Sequence, residues 1–164
     1  MDFKSVIMDQ FYLSYFKELE AREIRERKQV LAGENALFMN KLIPPNGFSG
    51  IRVFSKTFIP PMNNTKYIWC FNSHADDYRY TKEMDNELGL MIPTPERALV
   101  ESFLYVHYFD AGLVQEAAYK YMVMNNKDVR KLYEVADALD CPSCLVDFYC
   151  GLPVDFLSMI PQEV

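Results

Sequence analysis

The stretch Ile92-Pro93-Thr94-Pro95-Glu96-Arg97-Ala98-Leu99-Val100-Glu101 decides how the middle of this chain is read. Pro93 and Pro95 lack the amide that a strand ladder needs, so a strand arriving from the N-terminal side should stop here. Thr94 is a good N-cap, and Pro95 suits the first helical position, where its missing N–H leaves nothing unpaired. Glu96 falls in the first turn, where the exposed amides and the helix dipole favour a negative charge. A sheet-to-helix junction is expected, with the helix starting at Pro95.

Upstream of the junction, residues 44–92 carry short aromatic or β-branched runs at Ile51-Arg52-Val53-Phe54, Tyr67-Ile68-Trp69-Cys70-Phe71, Tyr78-Arg79-Tyr80 and Leu88 to Ile92. Pro- and Asn-rich turns separate them, which predicts a small, mostly antiparallel sheet. Residues 3–31 contain neither Gly nor Pro, and Val6, Ile7, Phe11, Tyr15, Phe16 and Leu19 recur at helical spacing. One long N-terminal helix follows from that pattern, its half from Glu18 to Lys28 facing solvent because its charges alternate in sign. Gly33 is placed to end it, and Asn35 to Leu42 reads as a further short helix before Pro44-Pro45. Beyond Pro95 the spacing is helical again, with segments opening at Ala98, running from Leu113 to Met122, from Val129 to Leu139, and from Leu145 to Tyr149. The expected class is α+β: a long N-terminal helix, a small sheet and a C-terminal helical layer. Residues 1–164 read as a single domain, helical over 1–43, sheet over 44–92 and helical over 93–164.

With 164 residues, 50% of them hydrophobic and 15% aromatic, the chain can bury a core of its own. No apolar run approaches the roughly 20 residues of a membrane span, and the N-terminus lacks the plan of a signal peptide, so a cytoplasmic protein is expected. Four cysteines are too few for a secreted disulfide framework, and reduced thiols are the default. The net charge of −6 is unevenly placed. Residues 1–43 and 44–92 are each balanced, whereas residues 93–164 hold 5 Lys+Arg against 11 Asp+Glu. From Leu132 onward there is no base, while Glu134, Asp137, Asp140, Asp147, Asp155 and Glu163 are acidic. Such an end repels phosphate backbones and suits a basic protein partner, so DNA binding by this chain alone is not expected.

Three clusters invite a chemical reading. Cys141-Pro142-Ser143-Cys144 has disulfide-exchange spacing, but a predicted helix precedes it where a thioredoxin-like site needs a strand. With Cys150 it offers three thiols to zinc, yet His74 and His107 lie far off in sequence. The motif is therefore read as thiols packing at a helix start. His74-Ala75-Asp76-Asp77 sets an imidazole beside carboxylates, an arrangement that turn chemistry explains equally well. His107, among Tyr105, Tyr108 and Phe109, is read as packed or capping. No phosphate loop, nucleophile elbow or zinc-protease motif is present, so neither catalysis nor a cofactor is expected.

Gly33-Glu34-Asn35-Ala36-Leu37-Phe38-Met39-Asn40-Lys41-Leu42-Ile43-Pro44 followed by Ile92-Pro93-Thr94-Pro95-Glu96-Arg97-Ala98-Leu99 resembles two landmarks of the AbiEi-type antitoxins of abortive-infection toxin–antitoxin systems. There, a short apolar helix precedes a small sheet, and a Pro-Glu-Arg/Lys-Ala/Thr-Leu helix start follows it. The resemblance spans roughly residues 33–151. It implies a cytosolic antitoxin or regulatory protein encoded beside a nucleotidyltransferase-like toxin and neutralising it by contact. Members of the family also bind operators through an N-terminal winged helix, for which the single helix expected over residues 1–32 offers no counterpart. Glu96 and Arg97 are the polar positions that the resemblance carries over. With Glu134, Asp137 and Asp140 they form the expected partner-binding set. The alternative is an acidic phage or plasmid inhibitor of a basic, nucleic-acid-handling enzyme.

Overall fold

A computed structural model of the chain describes residues 14–24, 28–45, 50–59, 66–84 and 89–152. The fold is α+β. A helix over residues 14–24, α1, leads to strand β1 (Gln29–Val30) and helix α2 (Gly33–Met39). Strands β2 (Ile51–Ser55), β3 (Tyr67–Phe71), β4 (Thr81–Glu83) and β5 (Leu90–Pro93) follow. The remainder is helical: α3 (Pro95–Leu104), α4 (Ala111–Val123), α5 (Val129–Ala138) and α6 (Cys144–Cys150), with a turn of 3-10 helix at Val106–Tyr108.

The junction at residues 92–97 is as the sequence predicts, with one refinement. Pro95 is at the first helical position and the Thr94 hydroxyl accepts from the Arg97 amide at 3.4 Å. Strand β5, however, runs through Pro93, which pairs with Thr81 of β4. A proline is tolerated at the last residue of a strand, where the chain is already leaving the ladder. Replacing Thr94 by Ala leaves a first-turn amide without its cap and is expected to cost about 1 kcal/mol, measurable by urea unfolding. An unchanged midpoint would show that solvent satisfies that amide equally well.

The strands are mostly parallel, which corrects the antiparallel expectation. β1 pairs parallel with β5 (Gln29 opposite Leu90), β2 pairs parallel with β3 (Ile51 opposite Tyr67), and β4 alone lies antiparallel to β5. A Leu31–Val53 bridge and the Ala32 amide donating to the Arg52 carbonyl at 2.9 Å join the two sheets. Short apolar runs reveal that strands exist, but their direction is set by connections and tertiary packing, which the runs do not encode. Tyr78-Arg79-Tyr80, expected as a strand, is turn instead, with Tyr80 at φ 58°.

The long-helix expectation over 3–31 also needs revision. Its first residues, and 25–27, lie outside the described residues, but β1 shows that helix has ended before Gln29. Nor does the charged half of α1 simply face solvent. Glu20 and Glu23 are buried against the sheet while Ile24 is 37% exposed. Trp69 Nε1 donates to Glu20 Oε1 at 2.7 Å, and Thr57 Oγ1 to Glu23 Oε1 at 3.0 Å. Donors on the sheet surface thus draw the carboxylates inward, since a buried indole N–H needs an acceptor.

Gly33 opens α2 rather than closing α1, at φ +50°, and a Cβ there would collide with the Phe109 ring. Glu34 binds the adjoining elements: its Oε1 accepts from the Asp110 amide at 3.0 Å and its Oε2 faces Arg52 Nε at 3.0 Å, an ion pair off line for a hydrogen bond. The main core lies between the sheet and the helical layer, with Leu37, Val53, Leu99, Val114, Leu132, Val135 and Phe148 all but inaccessible. No described helix is long and apolar enough to cross a membrane.

Candidate functional site

Helix α3 is the centre of the helical layer, packing against α2, α4, α5 and α6. Its residues Glu96 to Phe103 are all buried, so the charges at 96, 97 and 101 need partners inside the protein. Arg97, fully buried, donates through Nε to Glu101 Oε1 at 2.7 Å, one helical turn on. Its Nη1 donates to the carbonyls of Asp77 at 2.5 Å and Arg79 at 2.6 Å, and its Nη2 to that of His74 at 3.5 Å. Asn72 Nδ2 donates to the other oxygen of Glu101 at 2.6 Å, while Asn72 Oδ1 accepts from the His74 amide and the Tyr105 hydroxyl at 2.8 and 2.9 Å. Burial pushes the Glu101 carboxyl up from its ordinary range, against the opposing pull of Arg97 and of the two hydrogen bonds. Both of its oxygens are occupied by donors, the arrangement that a carboxylate requires.

The result is a loop, residues 72–79, held from beneath by a guanidinium fork. Its outer side is tied to the helical layer by Arg79, whose Nη2 donates to the Ala138 carbonyl in the last turn of α5 at 3.0 Å. Arg79 also pairs with Asp77 at 2.6 Å and holds that carboxyl below the usual carboxylate range, chiefly by the side-chain hydrogen bond. A depressed native pKa stabilises the fold above the unfolded value and the contribution is lost as pH falls through the native one. Asp77→Asn is therefore expected to lower the neutral plateau slightly and to flatten the acid limb of a stability–pH profile, the two proteins converging at low pH where the wild-type carboxyl is protonated too. An acid limb identical to wild type would contradict this.

Helix α5 ends beside that loop in a Schellman turn. The Cys141 amide donates to the Ala136 carbonyl at 2.8 Å, the Asp140 amide to that of Asp137 at 3.0 Å, and Asp140 sits at φ 56°. Leu132, Val135, Ala136 and Leu139 face the core, leaving Glu134, Asp137 and Asp140 exposed. Asp137 and Asp140 lie where acids are least favoured, with Glu134 one turn earlier: the last turn of α5 holds no base, and an anion at a helix C-terminus opposes the dipole at a typical cost of about 0.3–1 kcal/mol. Arg79, from the loop, is the cation that meets this end.

The expected partner-binding set is thus divided. Glu134, Asp137 and Asp140 are brought together on one exposed helix end. Glu96 and Arg97 are not part of that surface, a correction that follows from their burial: Glu96 faces Lys131 Nζ at 3.6 Å and Arg97 braces the loop. Asn72, Arg79 and Tyr105, which complete the arrangement, were not singled out by sequence. The one available signal was the Arg97–Glu101 spacing, one helical turn apart in a largely apolar helix. His74, Asp76 and Asp77 do not converge: Asp76 pairs with Lys56 at 3.1 Å, Asp77 with Arg79, and the His74 carbonyl serves Arg97. His107 is exposed and stacks on Tyr108 with ring centroids 4.2 Å apart. Among the described residues, no three His, Cys, Asp or Glu side chains are grouped as for a metal ion.

In comparisons with known proteins, no family model matches the chain, and no curated protein does.

Proposed function

We propose that the protein acts by contact, as an antitoxin or regulator of the AbiEi-like kind, and that its acidic α5 end with the adjoining 72–79 loop is the surface that engages a basic partner. One observation carries this reading. Asp137 and Asp140 sit at the helix end where acids oppose the dipole, with Glu134 exposed one turn before them, and the loop beside them is braced by a buried ion pair, so a locally unfavourable feature is displayed on a braced base. Violations of local preference tend to mark functional sites. The implied partner is a nucleotidyltransferase-like toxin encoded next to this chain, whose nucleic-acid-handling surface would be basic. A cytoplasmic setting, a non-enzymatic role and the absence of DNA binding by this chain alone belong to the same proposal.

Charge complementarity of this type speeds association and makes it sensitive to salt. The test is titration calorimetry of the chain against the neighbouring gene product over a range of ionic strength. Binding that weakens steeply with salt supports the reading. No binding at low salt removes the antitoxin version, and binding to a basic enzyme from elsewhere would favour the phage or plasmid inhibitor.

A further inference from the structure

We propose that Cys141 and Cys144 form an oxidation site, a dithiol that hydrogen peroxide closes into an intramolecular disulfide within the folded protein. The two sulfurs lie 3.7 Å apart. The Cys144 S–H is shared between Cys141 Sγ and the Cys141 carbonyl, which it meets at 2.8 Å. Both residues are buried at 4% exposure, but the Pro142-Ser143 turn between them is exposed, so the pair lies just beneath a surface turn. A reactant scarcely larger than water suits such a position better than a bulky disulfide reagent. The hydrogen bond from Cys144 favours the thiolate at Cys141 and lowers its pKa, whereas Cys144 is pushed up by giving that bond and by burial. The sulfurs are thus unequal, one a nucleophile and the other its resolving partner. Cys70 differs: buried in β3, its thiol is pushed up to about 12 by desolvation and has no second sulfur at hand among the described residues.

The chemistry balances without a cofactor. The Cys141 thiolate attacks one peroxide oxygen, the O–O bond breaks, and the departing hydroxide takes a proton and leaves as water, giving a sulfenic acid. The Cys144 sulfur then attacks the Cys141 sulfur, the S–O bond breaks, and the hydroxyl leaves as water with the Cys144 proton. Two thiols are oxidised by two electrons and one peroxide is reduced to two waters. Because Cys141 follows Asp140 directly, closure tethers the end of α5 to the start of α6. The site stands independently of the contact function proposed above.

The test uses the full chain carrying Cys70→Ser and Cys150→Ser, so that this pair supplies the only thiols. The folded protein is treated with hydrogen peroxide, then unfolded and alkylated with iodoacetamide. The expected result is a mass lower by two hydrogens, loss of both alkylation sites together, and recovery of both with dithiothreitol. Retention of both thiols, or gain of oxygen at either sulfur without pairing, overturns the proposal. Should the double variant fail to fold, wild-type protein with peptide mapping gives the same outcomes, read as presence or absence of the peptide linked through Cys141 and Cys144.

Discussion

Replacement of Arg97 by Ala is expected to be the most damaging single change in this protein, costing about 3–5 kcal/mol. It leaves the buried Glu101 carboxylate without its counter-charge and removes the donors that the carbonyls of His74, Asp77 and Arg79 use. Domains of this size are stable by only about 5–15 kcal/mol, so the variant should sit close to unfolding at ambient temperature. Lysine is not a substitute, because a point charge cannot reach Glu101 and the loop carbonyls at once. Arg97→Met combined with Glu101→Leu should recover part of the loss, since no buried charge then lacks a partner, but the loop would still lack its brace. Urea unfolding gives the stabilities, and amide exchange over residues 72–79 reports the brace separately. A loss below about 1 kcal/mol for Arg97→Ala would mean that water replaces the guanidinium, and that the loop is not held from beneath.

The junction was readable because cap, proline and first-turn acid all act within a few residues of one another, and local chemistry is what sequence displays. The C-terminal helices were readable from their apolar spacing, and α4 and α5 also open on local caps: Asp110 accepts from the Gly112 and Leu113 amides, and Asp128 from that of Lys131, whereas α6 has no side-chain cap. Strand direction was not readable. Gln29–Val30 is a strand only because β5 lies alongside it, and nothing in two residues announces a partner sixty positions away. The inward turn of Glu20 and Glu23 was hidden similarly, since the donors that hold them, Trp69 and Thr57, come from distant sequence. At the candidate site the acids of α5 were legible as a run without bases. Their neighbourhood with the 72–79 loop was not, because Arg79 to Ala138 and Arg97 to Asp77 are contacts that only the tertiary fold creates.

Joint reversal of Glu134, Asp137 and Asp140 to Lys should separate function from stability. All three are exposed on the C-terminal half of α5, where the gain of bases at 137 and 140 with the helix dipole offsets the loss of Asp140's attraction for Arg79, so the fold should be nearly unaffected. Position 140 accepts Lys in particular, because Lys41 already occupies the equivalent left-handed position after α2, at φ 60°, in the same pair of backbone hydrogen bonds. Attraction to a basic partner turns into repulsion, which typically costs several kcal/mol in binding and hence a loss of affinity beyond a hundredfold. A variant close to wild type in stability but unable to protect is the signature of residues kept for contact. Surface acids kept for solubility would leave protection intact.

Growth of cells co-expressing the chain with the product of its neighbouring gene decides whether the acidic surface of α5 neutralises a partner. The neighbour alone is expected to arrest growth, the wild-type chain to restore it, and the Glu134, Asp137 and Asp140 reversal to fail to do so although the variant accumulates to the wild-type level. A neighbour that is harmless alone, or equally toxic beside the wild-type chain, would contradict this.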